Sequence, residues 1–330
     1  MTAPGGLLPA DRCDPPAERS GELVPGARSV PGASSVPGSS SVAGSSSVAG
    51  PFQVVLVQPE GYVHSAAFAE MLEAVACGLR ALGADVTETV NQLVPGPQPI
   101  VFGANLLGAA NVDVLPPGTI IYNLEQIGES SSWCSPTYLR LLQSFQVWDY
   151  SARNIASLAR LGVTVNVKHV PVGYVPELTR IVAAPVEDID VLFYGSMNER
   201  RNNVISQLRQ AGLNAEAVFA VYGASRDALI ARAKVVLNMH FNETNIFELV
   251  RVSYLLANRK AVVAECNPGT EIDPDIVDAV CLAPYEGLAS ACAQLVADSQ
   301  SRKALSERGF SRMAARDERA YLAAALDQKD

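Results

Sequence analysis

Residues 190–201 read Asp-Val-Leu-Phe-Tyr-Gly-Ser-Met-Asn-Glu-Arg-Arg. The run 190–194 is apolar and aromatic after its first residue, which predicts a buried strand. Gly195 and Ser196 punctuate it, and 199–211 then reads as a helix. A strand that turns straight into a helix is the repeating unit of a parallel sheet. Outward toward the C-terminus, strands are expected at 217–222, 235–239, 261–264 and 280–283, with helices at 226–233, 247–257, 287–297 and 302–323. In the other direction, residues 171–189 carry prolines and no clear period, and are expected to be a linker. Before them, strands at 53–58, 85–90, 99–103, 119–123, 146–150 and 166–170 alternate with helices at 66–82, 136–145 and 152–161. The first of these helices shows why: Phe68, Met71, Leu72, Val75, Leu79 and Leu82 recur at helical spacing, and Gly83 stands just past the end. The chain is expected to be α/β, with two consecutive parallel-sheet domains at 51–170 and 190–330.

Residues 1–50 are a different kind of sequence. From Ser29 to Gly50 a short Ser-Val-Pro/Ala-Gly unit repeats. Such composition buries too little to offset its ordering entropy, so a disordered tail is expected over 1–50. Of all 330 residues, 48% are hydrophobic and 18% charged, and the net charge is -9. That is ample for two cores, and an acidic field predicts no nucleic acid and no anionic membrane surface as partner. The six cysteines form no CxxC pair and sit at no metal-ligand spacing, which predicts reduced thiols and a cytoplasmic protein. No secretory leader and no transmembrane run is read.

Ligands of open α/β sheets bind beyond the carboxyl ends of strands, so the post-strand loops carry the functional reading. After 190–194, Gly195 and Ser196 offer backbone N–H groups near a helix N-terminus, which suits a diphosphate, and Arg200 and Arg201 add charge. The alternative is a tight turn and a solvated helix face. After 235–239, His240, Asn242, Glu243, Asn245, Glu248 and Arg251 cluster between a strand and a largely apolar helix. Glu248 and Arg251 share one face, and the plain alternative is an intrahelical surface pair. After 53–58 stands His64, a residue type suited to general-base work, or simply a hydrogen-bonded loop histidine. Asp188-Ile-Asp190 opens a strand and Asp273-Pro-Asp275 sits in a turn, so neither is expected to hold a metal. No Walker loop, GxSxG, HExxH or GxGxxG fingerprint is present.

The order DVLFYGSMNERR, then RDALIARAKVVLNMHFNETNIFELVRVSYLLANRKAVVAE, resembles the C-terminal donor domain of group-1-type GT-B glycosyltransferases over about 190–300. In the first half, YNLEQ (122–126), WDYSARN (148–154) and HVPVGYVPEL (169–178) resemble related bacterial glycosyltransferase-like proteins. The resemblance implies a GT-B fold, two Rossmann-like parallel-sheet domains facing a central cleft. It implies that Gly195 and Ser196 face a donor diphosphate and that Glu248 holds the donor ribose. Retaining members carry two glutamates more widely spaced than Glu243 and Glu248, and some inverting members place a base histidine where His64 stands.

The expectation is therefore a glycosyltransferase that moves a sugar from a nucleotide-sugar co-substrate to an unidentified acceptor, with no metal and no further cofactor. Its rivals are a nucleotide-sugar epimerase or hydrolase on the same fold, and a non-catalytic nucleotide-sugar-binding module.

Overall fold

The structure is a computed structural model that describes residues 23–25, 50–109, 113–127, 134–164, 166–241 and 246–327. It divides into two compact units. The first comprises the described residues of Pro16–Arg180 and Met313–Asp330, and the second is Ile181–Arg312.

The first unit runs β1 (Val24–Pro25), β2 (Phe52–Leu56), α1 (Ala69–Ala81), β3 (Val86–Val90), β4 (Gln92–Leu93), β5 (Gln98–Phe102), β6 (Ile120–Asn123), α2 (Pro136–Ser144), β7 (Gln146–Asp149), α3 (Ala152–Arg160) and β8 (Val167–His169). Its main sheet has the order β3-β2-β5-β6-β7-β8, every pair parallel. The central strands are apolar on both faces because helices cover both; Val55, Ile100, Val101, Ile120 and Ile121 are fully buried. Each such side chain contributes about 1.5–3 kcal/mol. Serines start two of the helices: Ser135 Oγ accepts from Tyr138 N at 3.1 Å, with Pro136 in the first turn, and Ser151 Oγ accepts from Asn154 N at 3.3 Å.

Part of the tail expectation is corrected here. Val24–Pro25 pairs in parallel with Gln92–Leu93, Val24 N donates to Asn91 O at 2.9 Å, and Leu23 is buried in the core of the first unit. A single leucine in a Gly/Ser/Pro context leaves no periodic signal, and here its burial accompanies the backbone pairing of the strand beside it. The remainder of 1–49 lies outside the described residues.

The second unit runs β9 (Ile189–Tyr194), α4 (Glu199–Gln210), β10 (Ala215–Val218), α5 (Gly223–Arg232), β11 (Ala233–Asn238), α6 (Leu249–Ala257), β12 (Ala261–Glu265), β13 (Cys281–Ala283), α7 (Leu288–Ala297) and most of α8 (Ser299–Ala314). Its sheet has the order β10-β9-β11-β12-β13, again all parallel. Val191, Val235, Val236, Val262 and Val263 are fully buried in it.

The expected last helix, 302–323, breaks into α8 and α9 (Glu318–Asp327), and α9 packs with the first unit, not with residues 190–312. Tyr174 N donates to Arg316 O at 2.6 Å, Glu318 N to Tyr174 O at 3.2 Å, and Lys168 Nζ to Ala325 O at 3.0 Å. Gly173 permits this approach, since a Cβ there would lie 2.6 Å from the Glu318 Cα. Helical period marks a helix but does not say which sheet it covers.

Candidate functional site

In the second unit, β10 lies on one side of β9 and β11 on the other. The chain reverses its direction of travel there, so the loops after β9 and β11 part and leave a crevice at the strands' carboxyl ends. The structure brings Gly195, Ser196, Arg200, Arg201, His240, Glu248 and Arg251 to this one switch point. Gly195 has φ +149°, and a Cβ on it would meet Phe193 Cζ at 3.2 Å and Arg251 Nη2 at 3.5 Å, so the turn requires glycine. Its N–H is already used, donating to Val218 O at 2.9 Å. Asn198 caps α4: its Oδ1 accepts from Arg201 N at 2.9 Å, and its Nδ2 donates to Phe241 O at 2.6 Å, which ties the two loops together.

The two arginines are engaged differently from the expected phosphate grip. Arg201 turns inward and is 3% exposed. It donates to Ser196 O at 2.8 Å, Met239 O at 2.6 Å and His240 O at 3.2 Å, and burial pushes its pKa down to about 10. Its donors hold the ends of β9 and β11 in place. Arg200 forms a bidentate pair with Glu265, with Nη1 to Oε2 at 2.7 Å, and stacks 3.9 Å over the Tyr285 ring. Glu265 also accepts from His240 N at 2.9 Å and Asn267 Nδ2 at 2.6 Å. Burial raises its pKa, but Arg200 and these N–H donors outweigh that and hold it low.

Glu248 stands at the N-cap of α6 with no backbone cap of its own. It is 15% exposed, so the surface-pair reading does not describe it. Arg251 Nη1 lies 2.9 Å from its Oε2, Arg201 Nη2 3.7 Å and His240 Nδ1 3.8 Å from its Oε1. Burial raises its pKa, and Arg251, His240 and Arg201 overcome this, holding the carboxylate at about 2. Arg251 is the least committed guanidinium, with a 3.4 Å bond to Asn238 Oδ1 and 27% exposure. Around it stand buried polar atoms without a hydrogen-bond partner among the described residues: both ring nitrogens of His240, Asn238 Nδ2 and Glu248 Oε2. The 2.9 Å contact of Arg251 with that oxygen is an ion pair without hydrogen-bond alignment. Each such orphan costs about 1–3 kcal/mol.

Asn242, Glu243 and Asn245 lie outside the described residues. His64 belongs to the first unit, in a short turn (Val63–Phe68) after β2. It is half-buried, packs edge-on to Tyr62 at 5.1 Å, and burial lowers its pKa. Sequence reasoning missed Asn238, Glu265, Asn267 and Tyr285. An acid closing the apolar strand Ala261–Glu265 was the available signal. Asp188 and Asp190 pair with Arg232 and Lys234 at 2.6 and 2.7 Å, at the start of β9 and away from the crevice. Among the described residues, no three His, Cys, Asp or Glu side chains group closely enough to hold a metal, and no helix is long and apolar enough to cross a membrane.

No protein-family model matches the chain. Two relatives from Acanthamoeba polyphaga mimivirus, uncharacterized proteins L140 and L138, are 24% identical over 190 residues and 31% identical over 105 residues. These matches cover 54% and 31% of this chain, and the chain spans only 59% and 12% of their own lengths. Among solved structures, Anabaena HepE (Alr3699) in complex with UDP and glucose aligns with a TM-score of 0.57 at 12% identity, over 85% of this chain and 100% of that one. AviGT4, a glycosyltransferase involved in avilamycin A biosynthesis, aligns at 0.52 and 16% identity, covering 84% and 97%. The DNA-modifying β-glucosyltransferase aligns at 0.50 and 12%, covering 83% and 99%. The chain has a GT-B glycosyltransferase-like fold.

Proposed function

We propose that the chain is a glycosyltransferase whose second unit holds a nucleotide-sugar donor. One observation carries the reading: at a sheet switch point, His240, Asn238 and Glu248 present buried polar atoms without a hydrogen-bond partner among the described residues, beside the partly exposed guanidinium of Arg251 that pairs with Glu248. A ligand with an anionic part and hydroxyl groups would satisfy both. Similar folds accompany UDP, or UDP with glucose, in HepE. In this reading Glu248 accepts hydrogen bonds from the ribose hydroxyls, while the Gly195–Ser196 turn lets the diphosphate approach the backbone. Arg251 takes the phosphate charge that Arg201, turned inward, does not meet. When the anomeric C–O bond breaks, its electrons pass to the diphosphate. Fixed cationic charge stabilises that leaving group without a metal. His64 is the proposed base on the first unit, and the acceptor is unidentified.

Calorimetric titration with UDP-glucose tests this. Arg251→Ala should weaken binding by about 1–3 kcal/mol. Glu248→Gln, which keeps size but loses charge, should weaken it as well. UDP-glucose affinity unchanged in both variants sinks the assignment. Donor consumption with no acceptor would favour a hydrolase or epimerase.

A further inference from the structure

The first unit has a switch point of its own. β3 lies on one side of β2 and β5 on the other, so the loops after β2 and β5 diverge at their carboxyl ends. Asn105 stands just after β5, and Glu125 just after the neighbouring β6. Asn105 Nδ2 donates to Glu125 Oε1 at 3.3 Å, a long bond and the carboxyl's single one among the described residues.

The backbone at Glu125 is held far more firmly than its side chain. Its carbonyl accepts from Asn123 Nδ2 at 3.0 Å and Asn154 Nδ2 at 2.8 Å, and its N–H donates to Asn123 Oδ1 at 3.2 Å. Behind these, Asp149 accepts from Asn123 at 2.6 Å, Asn154 at 3.1 Å and Ser151 N at 2.8 Å. Tyr138 OH donates to Asn123 Oδ1 at 2.7 Å. Asn123, Asp149 and Asn154 are all but fully buried, and a satisfied buried network of this kind is rigid.

Loop support alone accounts for Asp149, Asn123 and Asn154. It does not account for the Glu125 carboxyl, which is half-buried, weakly bonded and fixed in place by its own backbone. Burial raises its pKa to about 7, and among the described residues no guanidinium or ammonium offsets it. At this carboxyl an anionic ligand would meet like charge with no counter-charge from the described residues. Vicinal hydroxyls would find two carboxyl oxygens and an amide.

We propose that Glu125 and Asn105 form a binding site for an uncharged polyhydroxy ligand, a sugar or a sugar-bearing molecule. Under the transferase reading this ligand is the acceptor, and only that identification rests on the reading; the site itself does not.

Saturation-transfer NMR tests the site on the full chain with saturating UDP present. The probes are glucose, maltose, N-acetylglucosamine and myo-inositol, with glucose 6-phosphate as the charged control. At least one neutral probe should give a signal, which Glu125→Ala and Asn105→Ala reduce about tenfold. Glu125→Gln should keep most of it, because the amide still accepts and donates. Glucose 6-phosphate should give less signal than glucose. Silence from all four neutral probes, or equal signals from the parent and Glu125→Ala, overturns the proposal. Should the alanine variants fail to fold, full retention in Glu125→Lys, which removes every acceptor oxygen, overturns it too. UDP-glucose titration of the same proteins separates the two readings: a parent that binds sugars but not UDP-glucose loses the transferase reading and keeps this site.

Discussion

In the first unit, Glu125 and Asp149 are bonded by amides and backbone groups, and Glu318 by the Gly173 N–H with Arg316 nearby; burial outweighs these partners and raises their pKa values to about 7, 7 and 8. In the second unit, Glu248 and Glu265 suffer the same desolvation, yet guanidinium groups and N–H donors hold both below the ordinary carboxylate range. Burial pushes the same way in both units, and the partner decides the outcome. A sheet end furnished with guanidinium groups suits an anion. One furnished with amides and near-neutral carboxyls suits hydroxyl groups.

The largest expected effect breaks the cationic side of this contrast. Arg201→Met removes the guanidinium donor from the Ser196 and Met239 carbonyls, leaves His240 O with Arg200 alone, and takes one cation from Glu248. Urea unfolding should show a loss of about 3–5 kcal/mol. A loss below about 1 kcal/mol would mean that the inward guanidinium is not a structural tie.

A pH series sharpens the contrast next. Glu318 has a native pKa above its unfolded value, so the native state keeps its proton longer. Its stabilising contribution is complete below about pH 4.5 and is lost as pH rises toward about 8. Glu248 has a native pKa below its unfolded value, so its contribution is lost as pH falls from about 4.5 toward about 2. Alkali should therefore loosen the first unit and acid the second. Trp148 is fully buried in the first unit, so its fluorescence reads that unit. At pH about 9, Glu318→Gln should raise the fluorescence midpoint by the equivalent of about 3 kcal/mol, and at pH about 4 it should change little. Equal effects at both pH values would contradict the raised pKa.

The smallest expected effect concerns Leu23. Leu23→Ala should cost about 2 kcal/mol in the tryptophan signal and leave UDP-glucose affinity unchanged. No change in that signal would return residues 23–25 to the expected disordered tail.

The alternation of strands and helices was legible because buried parallel strands are unbroken apolar runs, as in Ile120–Asn123 and Ala261–Glu265. The crevice loops were legible because Gly195 interrupts such a run. What escaped depends on distant partners. Arg201 turns inward because the ends of β9 and β11 leave carbonyls unpaired beneath it. The paired role of Arg200 needed Glu265, far along the chain. Leu23 and α9 carry ordinary local patterns, and only the surfaces that receive them give those patterns a place.

The position of α9 bears on how the chain is made. A ribosome delivers Phe52–Arg180, then all of Ile181–Arg312, and only afterwards the helix that covers α1. Until then, Gly78 on α1 faces the vacant seat of Leu322, whose Cδ1 would lie 2.7 Å from a Cβ at that glycine. The half synthesised first is thus the half completed last, and it waits through the whole translation of its neighbour with one apolar helix face bare.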